Sequence, residues 1–317
     1  MDRLLVNQLV KDDKVEGYLL VRTSDARTDS KGKTYLDMNL ADRTGEMNCK
    51  MWDVTMPAPV PGTVVKVRGT VTEYNGRLQL RVEKMRPATE EDQVDMSLLV
   101  PSAPEKPEVM LKSIQTTVDA FGSEALRKIV REMIAMAGDQ LMWFPAAKSI
   151  HHAERGGLLH HITSMLSTAE HIIQSYPFLN GDLIRAGVIL HDLCKISEMK
   201  SDELGNVTDY TRDGLLIGHL VRGVSQIAEA ARRADVTGEV VVLLEHMVIS
   251  HHGEAAYGSP RPPMFIEAEV LRWIDILDAR MNEMQGVMER TPPGTFSERI
   301  WSLDRRLYHP VYEEGAP

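Results

Sequence analysis

Short apolar runs and loosely alternating segments fill residues 15–86, a pattern of half-buried strands rather than helices. Tyr18-Leu19-Leu20-Val21 is one run, and Thr34 to Leu40 alternates imperfectly through Tyr35, Leu36, Met38 and Leu40. Asn48 to Trp52 follows the turn Arg43-Thr44-Gly45-Glu46, while Thr63 to Val71 and Leu78 to Val82 flank Tyr74-Asn75-Gly76-Arg77. Asn-Gly between two such runs is a strong hairpin signal, because the tight turn needs positive φ at its centre. Five strands with glycine-marked turns and no long helical stretch predict a small closed all-β barrel over residues 1–86.

From about residue 109 the period lengthens to three and four positions. It does so in Leu111–Phe121, Leu126–Met136, Leu158–Ile173, Leu183–Leu193, Leu215–Ala230, Val240–Ile249 and Ala268–Met288. These are amphipathic helices, so residues 109–317 form an all-α domain. Between the two lie residues 87–108, where Pro87, Pro101, Pro104 and Pro107 punctuate the acidic Glu90-Glu91-Asp92. A stiff, extended linker is the expectation there.

Composition narrows the setting. Of 317 residues, 43% are hydrophobic and 26% charged, which excludes disorder along the whole chain. No apolar run reaches the length of a spanning helix, so no membrane partner is expected. Two cysteines, Cys49 and Cys194, build neither a disulfide framework nor a four-cysteine zinc site, and a reducing cytoplasm is the default. The net charge of −10 is unevenly spread: residues 1–86 hold 15 basic and 12 acidic residues, and the rest hold 21 and 34. This excludes a histone-like positive coat but permits nucleic acid held in a local groove or by metal ions. All 11 histidines lie between His151 and His309.

The densest chemistry is Gly187-Val188-Ile189-Leu190-His191-Asp192-Leu193-Cys194-Lys195. An imidazole beside a carboxylate suits a divalent ion, and Lys195, four after His191, shares its face and can meet a phosphate. Upstream, Gly156-Gly157-Leu158-Leu159-His160-His161 opens a helix whose apolar stripe runs through 158, 162, 165, 169 and 172. His161 joins that stripe, whereas His160 lines up with Ser164, Ser167 and His171 and reads as solvated. Downstream stand His219, His246 and His251-His252, then Asp275 within an apolar helical segment. A buried carboxylate there needs a cation or strong donors. Four inward histidines and two aspartates from five helices exceed what one ion needs if a place is left for substrate. Two ions sharing a carboxylate and a water use them well, and ions so held lower the pKa of water to give a nucleophile.

These strings resemble the HD-domain superfamily of metal-dependent phosphohydrolases: a Gly-Gly-Leu opening, a His-Asp-Leu-X-Lys core and the late Asp-X-Leu-Asp-Ala of Asp275 to Ala279. Val15 to Val82 resembles an OB-fold. The order barrel, linker, HD domain, with GGLLHH, ILHDLCK, LLIGHL, ISHHGE and GSPRPP, is similar to the YhaM family of 3′→5′ exoribonucleases over essentially residues 1–290. The resemblance implies that His161, His191, Asp192 and Asp275 are metal ligands, with Asp192 bridging. His219 and one of His251 or His252 complete a second ion, His246 remaining a further candidate. It implies that Lys195 neutralises the scissile phosphate and that His151 and His152 reach substrate; Arg261, in the GSPRPP loop, is a phosphate contact to weigh. It also implies release of nucleoside 5′-monophosphates from a 3′ end. Manganese is the favoured ion, with iron, cobalt or magnesium permitted by the ligand types.

OB-folds hold single strands by stacking bases on aromatics and tracking phosphates with cations. Tyr18, Tyr35, Trp52 and Tyr74 are the aromatics, with Arg22, Lys31, Lys33, Lys50, Arg68 and Arg81 near them in sequence. The resulting expectation is a cytoplasmic two-domain hydrolase that captures single-stranded RNA, or DNA, and cuts phosphodiesters with a metal-bound hydroxide, with Asp192 and Lys195 at the reacting centre. A homo-oligomer is compatible with it. Two rivals stand beside it: a phosphohydrolase of a small nucleotide or cyclic dinucleotide, and a non-catalytic single-strand-binding regulator.

Overall fold

Inward apolar and outward polar residues alternate along five strands of the N-terminal unit in the computed structural model, which describes residues 5–29, 31–52, 54, 56–149 and 151–312. The strands are β1 (Lys14–Thr28), β2 (Thr34–Asp42), β3 (Gly45–Trp52), β4 (Val64–Tyr74) and β5 (Arg77–Pro87). They close a barrel in the order β1-β2-β3-β5-β4. Neighbours are antiparallel except β3 and β5, which run parallel. β1 is long enough to pair with β4 along its first half and β2 along its second; a register shift between Val21 and Thr23 separates the two. Leu36, Met38 and Leu40 of β2, Met47, Cys49 and Met51 of β3, and Leu80 and Val82 of β5 fill the interior. At the β4–β5 turn Asn75 and Gly76 both take positive φ, as a two-residue hairpin loop requires. The buried carboxylate of Asp42 pins the β2–β3 corner by accepting from the backbone N–H groups of Val6, Thr44 and Gly45.

Contacts divide the chain into Met1–Ser102 and Ala103–Pro317. The proline-punctuated stretch after β5 carries two single 3₁₀ turns, Glu90–Asp92 and Met96–Leu98, and buries Leu99 and Val100. The Asp92 carboxylate accepts from the Tyr18 hydroxyl and from both terminal nitrogens of Arg86, tying this stretch to the barrel wall.

The second unit comprises α1 (Pro107–Asp119), α2 (Glu124–Ala137), α3 (Gly157–Ser175), α4 (Gly181–Leu190), α5 (Lys195–Glu198), α6 (Arg212–Leu216), α7 (Gly218–Arg233), α8 (Glu239–Ser250) and α9 (Ile266–Arg290). One apolar cluster joins all of these except α6, and α4 gives it Leu183, Ile184, Ala186, Val188, Ile189 and Leu190. Helices occupy all seven predicted stretches, but Leu215–Ala230 is divided at Ile217 between α6 and α7, where Gly218 takes positive φ, and α4 stops at Leu190 rather than Leu193. The short hairpin β6 (Met199–Ser201) and β7 (Val207–Tyr210) was not expected: it is too short and too polar to show a period. Gly156 and Gly157 explain the sharp turn into α3. Gly156 has φ +75°, and a Cβ on Gly157 would fall on the His152 carbonyl oxygen. Among the described residues no helix is long and apolar enough to cross a membrane.

Candidate metal centre

Five helices deliver their side chains to one buried point. His161 comes from α3, His191 caps the C-terminus of α4, Asp192 follows in the turn, His219 lies in the first turn of α7, His251 caps α8, and Asp275 sits on α9. His161 and His191 are fully buried, with Nε2 atoms 3.2 Å apart. Asp275 Oδ1 is 3.3 Å from His161 Nε2 and 3.9 Å from His191 Nε2. Asp192 Oδ2 stands 3.4 Å from His191 Nε2 and 3.8 Å from His161 Nε2. The other oxygen, Oδ1, faces a second pair, 3.5 Å from His219 Nε2 and 3.7 Å from His251 Nε2. Asp192 therefore presents one oxygen to each of two groups.

The ring nitrogens facing away from the centre are all tied. Nδ1 of His191 donates to the Val188 carbonyl at 2.8 Å, and Nδ1 of His251 donates to the Val248 carbonyl at 2.7 Å. Nδ1 of His161 meets Asp278 at 2.8 Å and Nδ1 of His219 meets Glu198 at 2.9 Å. With Nδ1 as the donor, each Nε2 keeps its lone pair for the centre, the arrangement that orients metal-binding imidazoles. Asp192 Oδ1, His219 Nε2 and His251 Nε2 are buried and have no hydrogen-bond partner. Leaving such groups unsatisfied costs about 1–3 kcal/mol each. A divalent cation satisfies all three together, and nitrogen and carboxylate donors are the set such ions take. The residues thus fit the ions that the sequence pattern implied.

The electrostatics of the metal-free centre follow from the same packing. Burial opposes the charge on Asp192, yet Lys195 and His191 hold its carboxyl well below the usual range. Burial also opposes the charge on His161, but Asp275 and Asp278 overcome it and push the imidazole up to about 9. Burial, with His191 and His252 nearby, holds His251 neutral and well below its ordinary value. His151 is pushed down to about 4 by burial and by Lys195.

The remaining predicted residues divide. Lys195 does not stand free above the centre: the chain turns at residues 191–194, and Nζ pairs with Asp192 Oδ2 at 2.6 Å. His252 is half-buried beside His219 and His251, its Nδ1 donating to the Tyr257 carbonyl. His246 lies apart, its Nε2 accepting from the Met264 backbone N–H. His151 packs 5.7 Å from His161, ring to ring. His152 is buried behind the centre at φ +45°, its Nε2 on Asp278 and its Nδ1 within 3.1 Å of His160. Arg261 is exposed on its loop. His160, read as solvated, is half-buried and bonded to Glu154 at 2.8 Å, because the histidine-rich turn before α3 folds back over that face. Sequence reasoning missed Asp278, which receives His161, His152 and the Ser164 hydroxyl, and Glu198, which receives both the ring and the backbone N–H of His219. Their place one turn from Asp275 and after the Lys195 core was the available signal.

On the barrel, alternation turns Tyr35, Asp37, Asn39, Asn48, Lys50 and Trp52 outward while their neighbours fill the core. Tyr35 and Trp52, paired across β2 and β3, stack at 4.4 Å between centroids. Lys50 lies over the rings of Tyr35 and Tyr74, at 5.5 and 5.8 Å. Beside them opens a groove of about 1040 Å³ whose lining includes Asn48, Tyr74, Arg77 and Gln79. Tyr18 is on another part of the wall, its hydroxyl committed to Asp92.

Comparison with known proteins gives two domain matches: residues 14–88 to the OB-fold nucleic acid binding domain, and residues 158–280 to the HD domain. A protein of Geobacillus sp. named 3′-5′ exoribonuclease YhaM is 39% identical over 304 residues, spanning 95% of this chain and 93% of that protein. The proteins of the same name from Bacillus licheniformis and Bacillus subtilis are each 37% identical over 306 residues, spanning 95% of this chain and 96% of theirs.

Proposed function

Because the chain belongs to the YhaM 3′-5′ exoribonuclease family, we propose that it shortens single-stranded RNA from the 3′ end, hydrolysing phosphodiesters at the histidine–aspartate centre of its HD domain. The observation that carries this reading is the convergence of three buried, unpartnered atoms, Asp192 Oδ1, His219 Nε2 and His251 Nε2. In this proposal His161, His191, Asp192 and Asp275 would hold one divalent ion, and Asp192, His219 and His251, with His252 alongside, would hold a second; manganese is the ion we favour, and the mixed imidazole and carboxylate donors also admit iron, cobalt or magnesium. Such ions supply Lewis acidity to a phosphodiester and activation of water at neutral pH.

The chain's own residues do the rest. Asp278 and Glu198 hold the His161 and His219 rings in the tautomer that faces the centre. Lys195 keeps Asp192 ionised and in place, and its amine sets a positive charge beside the centre, where it would meet charge developing on a phosphate. The outward Tyr35–Trp52 stack, with Lys50 beside it, offers faces for bases and a charge for phosphate. We place this activity in the cytoplasm, where the buried free thiols Cys49 and Cys194 stay reduced.

The test is a 5′-labelled RNA oligomer incubated with Mn²⁺, alongside the same DNA. A ladder descending from the 3′ end is expected, abolished by EDTA and by Asp192→Asn. Lys195→Met is expected to slow turnover about ten- to a thousandfold. An intact oligomer beside hydrolysis of a small nucleotide would sink the reading.

A further inference from the structure

We propose that the barrel carries a second nucleic-acid contact, a phosphate-binding strip on β4 and β5, on the wall away from the stacked aromatics of β2 and β3. The inference rests on the RNA-degrading reading above and adds a surface to it. In the closed order β1-β2-β3-β5-β4, β4 lies opposite the β2–β3 pair. Lys66 and Arg68 of β4 stand directly across from Arg86 and Lys84 of β5. Like charges placed opposite each other on one face destabilise a sheet, so four cations in two facing pairs oppose folding unless something offsets them.

The offset within the protein is partial. Arg86 is matched by Asp92 through two short bonds, and Lys66 meets Glu16 only at 4.0 Å. Arg68 and Lys84 are exposed, and among the described residues neither has an ion-pair partner. Glu83, the nearby acid on β5, accepts from the Thr70 hydroxyl.

The backbone is shaped to bring these charges together. The β4–β5 ladder slips between Arg68 and Gly69, so that Arg68 faces Lys84 while Gly69 faces Val82. The extra residue, Glu83, lets both Glu83 and Lys84 point outward after the inward Val82. Were Glu83 in regular alternation rather than bulged, Lys84 would turn toward the core; bulges commonly re-aim a side chain in this way. At the slip, a Cβ on Gly69 would collide with the Arg81 carbonyl, so the close approach depends on glycine. A groove of about 360 Å³ is lined by the four cations and by one acid, Glu16, which stands across from Arg68 on β1 but comes no closer than 4.0 Å to Lys66. A phosphodiester is the anion that fits: singly charged per unit, repeated along a strand, and matched by point charges in register rather than by a closed pocket.

The test is the salt dependence of binding, measured on the full-length protein in EDTA so that the RNA stays intact. The probe is a long labelled single-stranded RNA. For Arg68→Gln/Lys84→Gln we expect about tenfold weaker binding at low salt and a slope of log K against log salt shallower by about 1.4, two contacts' worth on a single strand. Arg68→Lys/Lys84→Arg should keep the wild-type slope. The charge-matched Arg232→Gln/Arg233→Gln, on exposed α7 residues paired with Glu229, should keep it too, which separates a local contact from a change in net charge. Wild-type affinity and slope in Arg68→Gln/Lys84→Gln, with an unchanged melting temperature, would overturn the strip. Wild-type protein that neither binds nor shortens RNA would instead overturn the reading beneath it.

Discussion

His161 concentrates the logic of the centre. Its Nδ1 is held by Asp278, and its Nε2 faces Asp275 at 3.3 Å. Without metal the ring titrates at about 9, so at neutral pH it carries a proton on the nitrogen that a metal needs. Metal uptake must displace that proton. Affinity for Mn²⁺ should therefore rise with pH and level off above about 9, by roughly tenfold per pH unit between 6.5 and 8.5. Calorimetric titration in buffers of different ionisation enthalpy checks both the slope and the proton released; a flat profile would remove His161 from the ligands. Helix phase alone directed His161 inward, because its own helix supplies the apolar stripe that defines the inside. Asp278 escaped notice for the opposite reason: its partners lie on α3 and in the turn before it, more than 110 residues away in the chain.

The helices meet closely enough that small residues matter. α7 and α8 pack where Gly223 leaves room for Val248, and α4 packs on α8 where Gly187 leaves room for Met247. A methyl on Gly223 would crowd the Val248 side chain, and the helix that would have to shift carries His219. Gly223→Ala should cost about 1–3 kcal/mol of stability, seen as a lower midpoint in thermal melts followed by circular dichroism. An unchanged midpoint would mean that Val248 rotates away without penalty. The periodicity that revealed seven helices reports only which face of a helix is apolar; it carries nothing on how near two backbones come. The β6–β7 hairpin stayed hidden because strands of three and four residues are shorter than the period needs.

Two separate apolar clusters, one in the barrel and one among the helices, imply two cooperative units. Calorimetry of the intact chain should resolve two transitions, or one transition broader than a two-state unit allows. Excess Mn²⁺ should raise only the transition of the helical unit. At a hundredfold excess over the dissociation constant the added stability is about 2.7 kcal/mol. A single sharp transition shifted as a whole by the ion would show that the two units unfold together. The charge division supports the same separation of labour, with basic excess confined to residues 1–86 and acidic excess to the rest.

Local pattern by itself determined the barrel, the helical unit, the inward histidine of α3 and the neighbouring His191 and Asp192, since each follows from a period or a spacing within one segment. Only the tertiary structure decided that Asp192 offers its two oxygens to different neighbours, that His251 rather than His246 reaches it, and that Lys195 pairs with its carboxylate. It also decided that Tyr35 and Trp52 stack outside the barrel while Tyr18 is tied to Asp92. The physical reason is common to all of these. Periodicity fixes a side chain's direction relative to its own strand or helix, whereas convergence depends on how distant segments pack, and that is set by the volume and shape of the core between them.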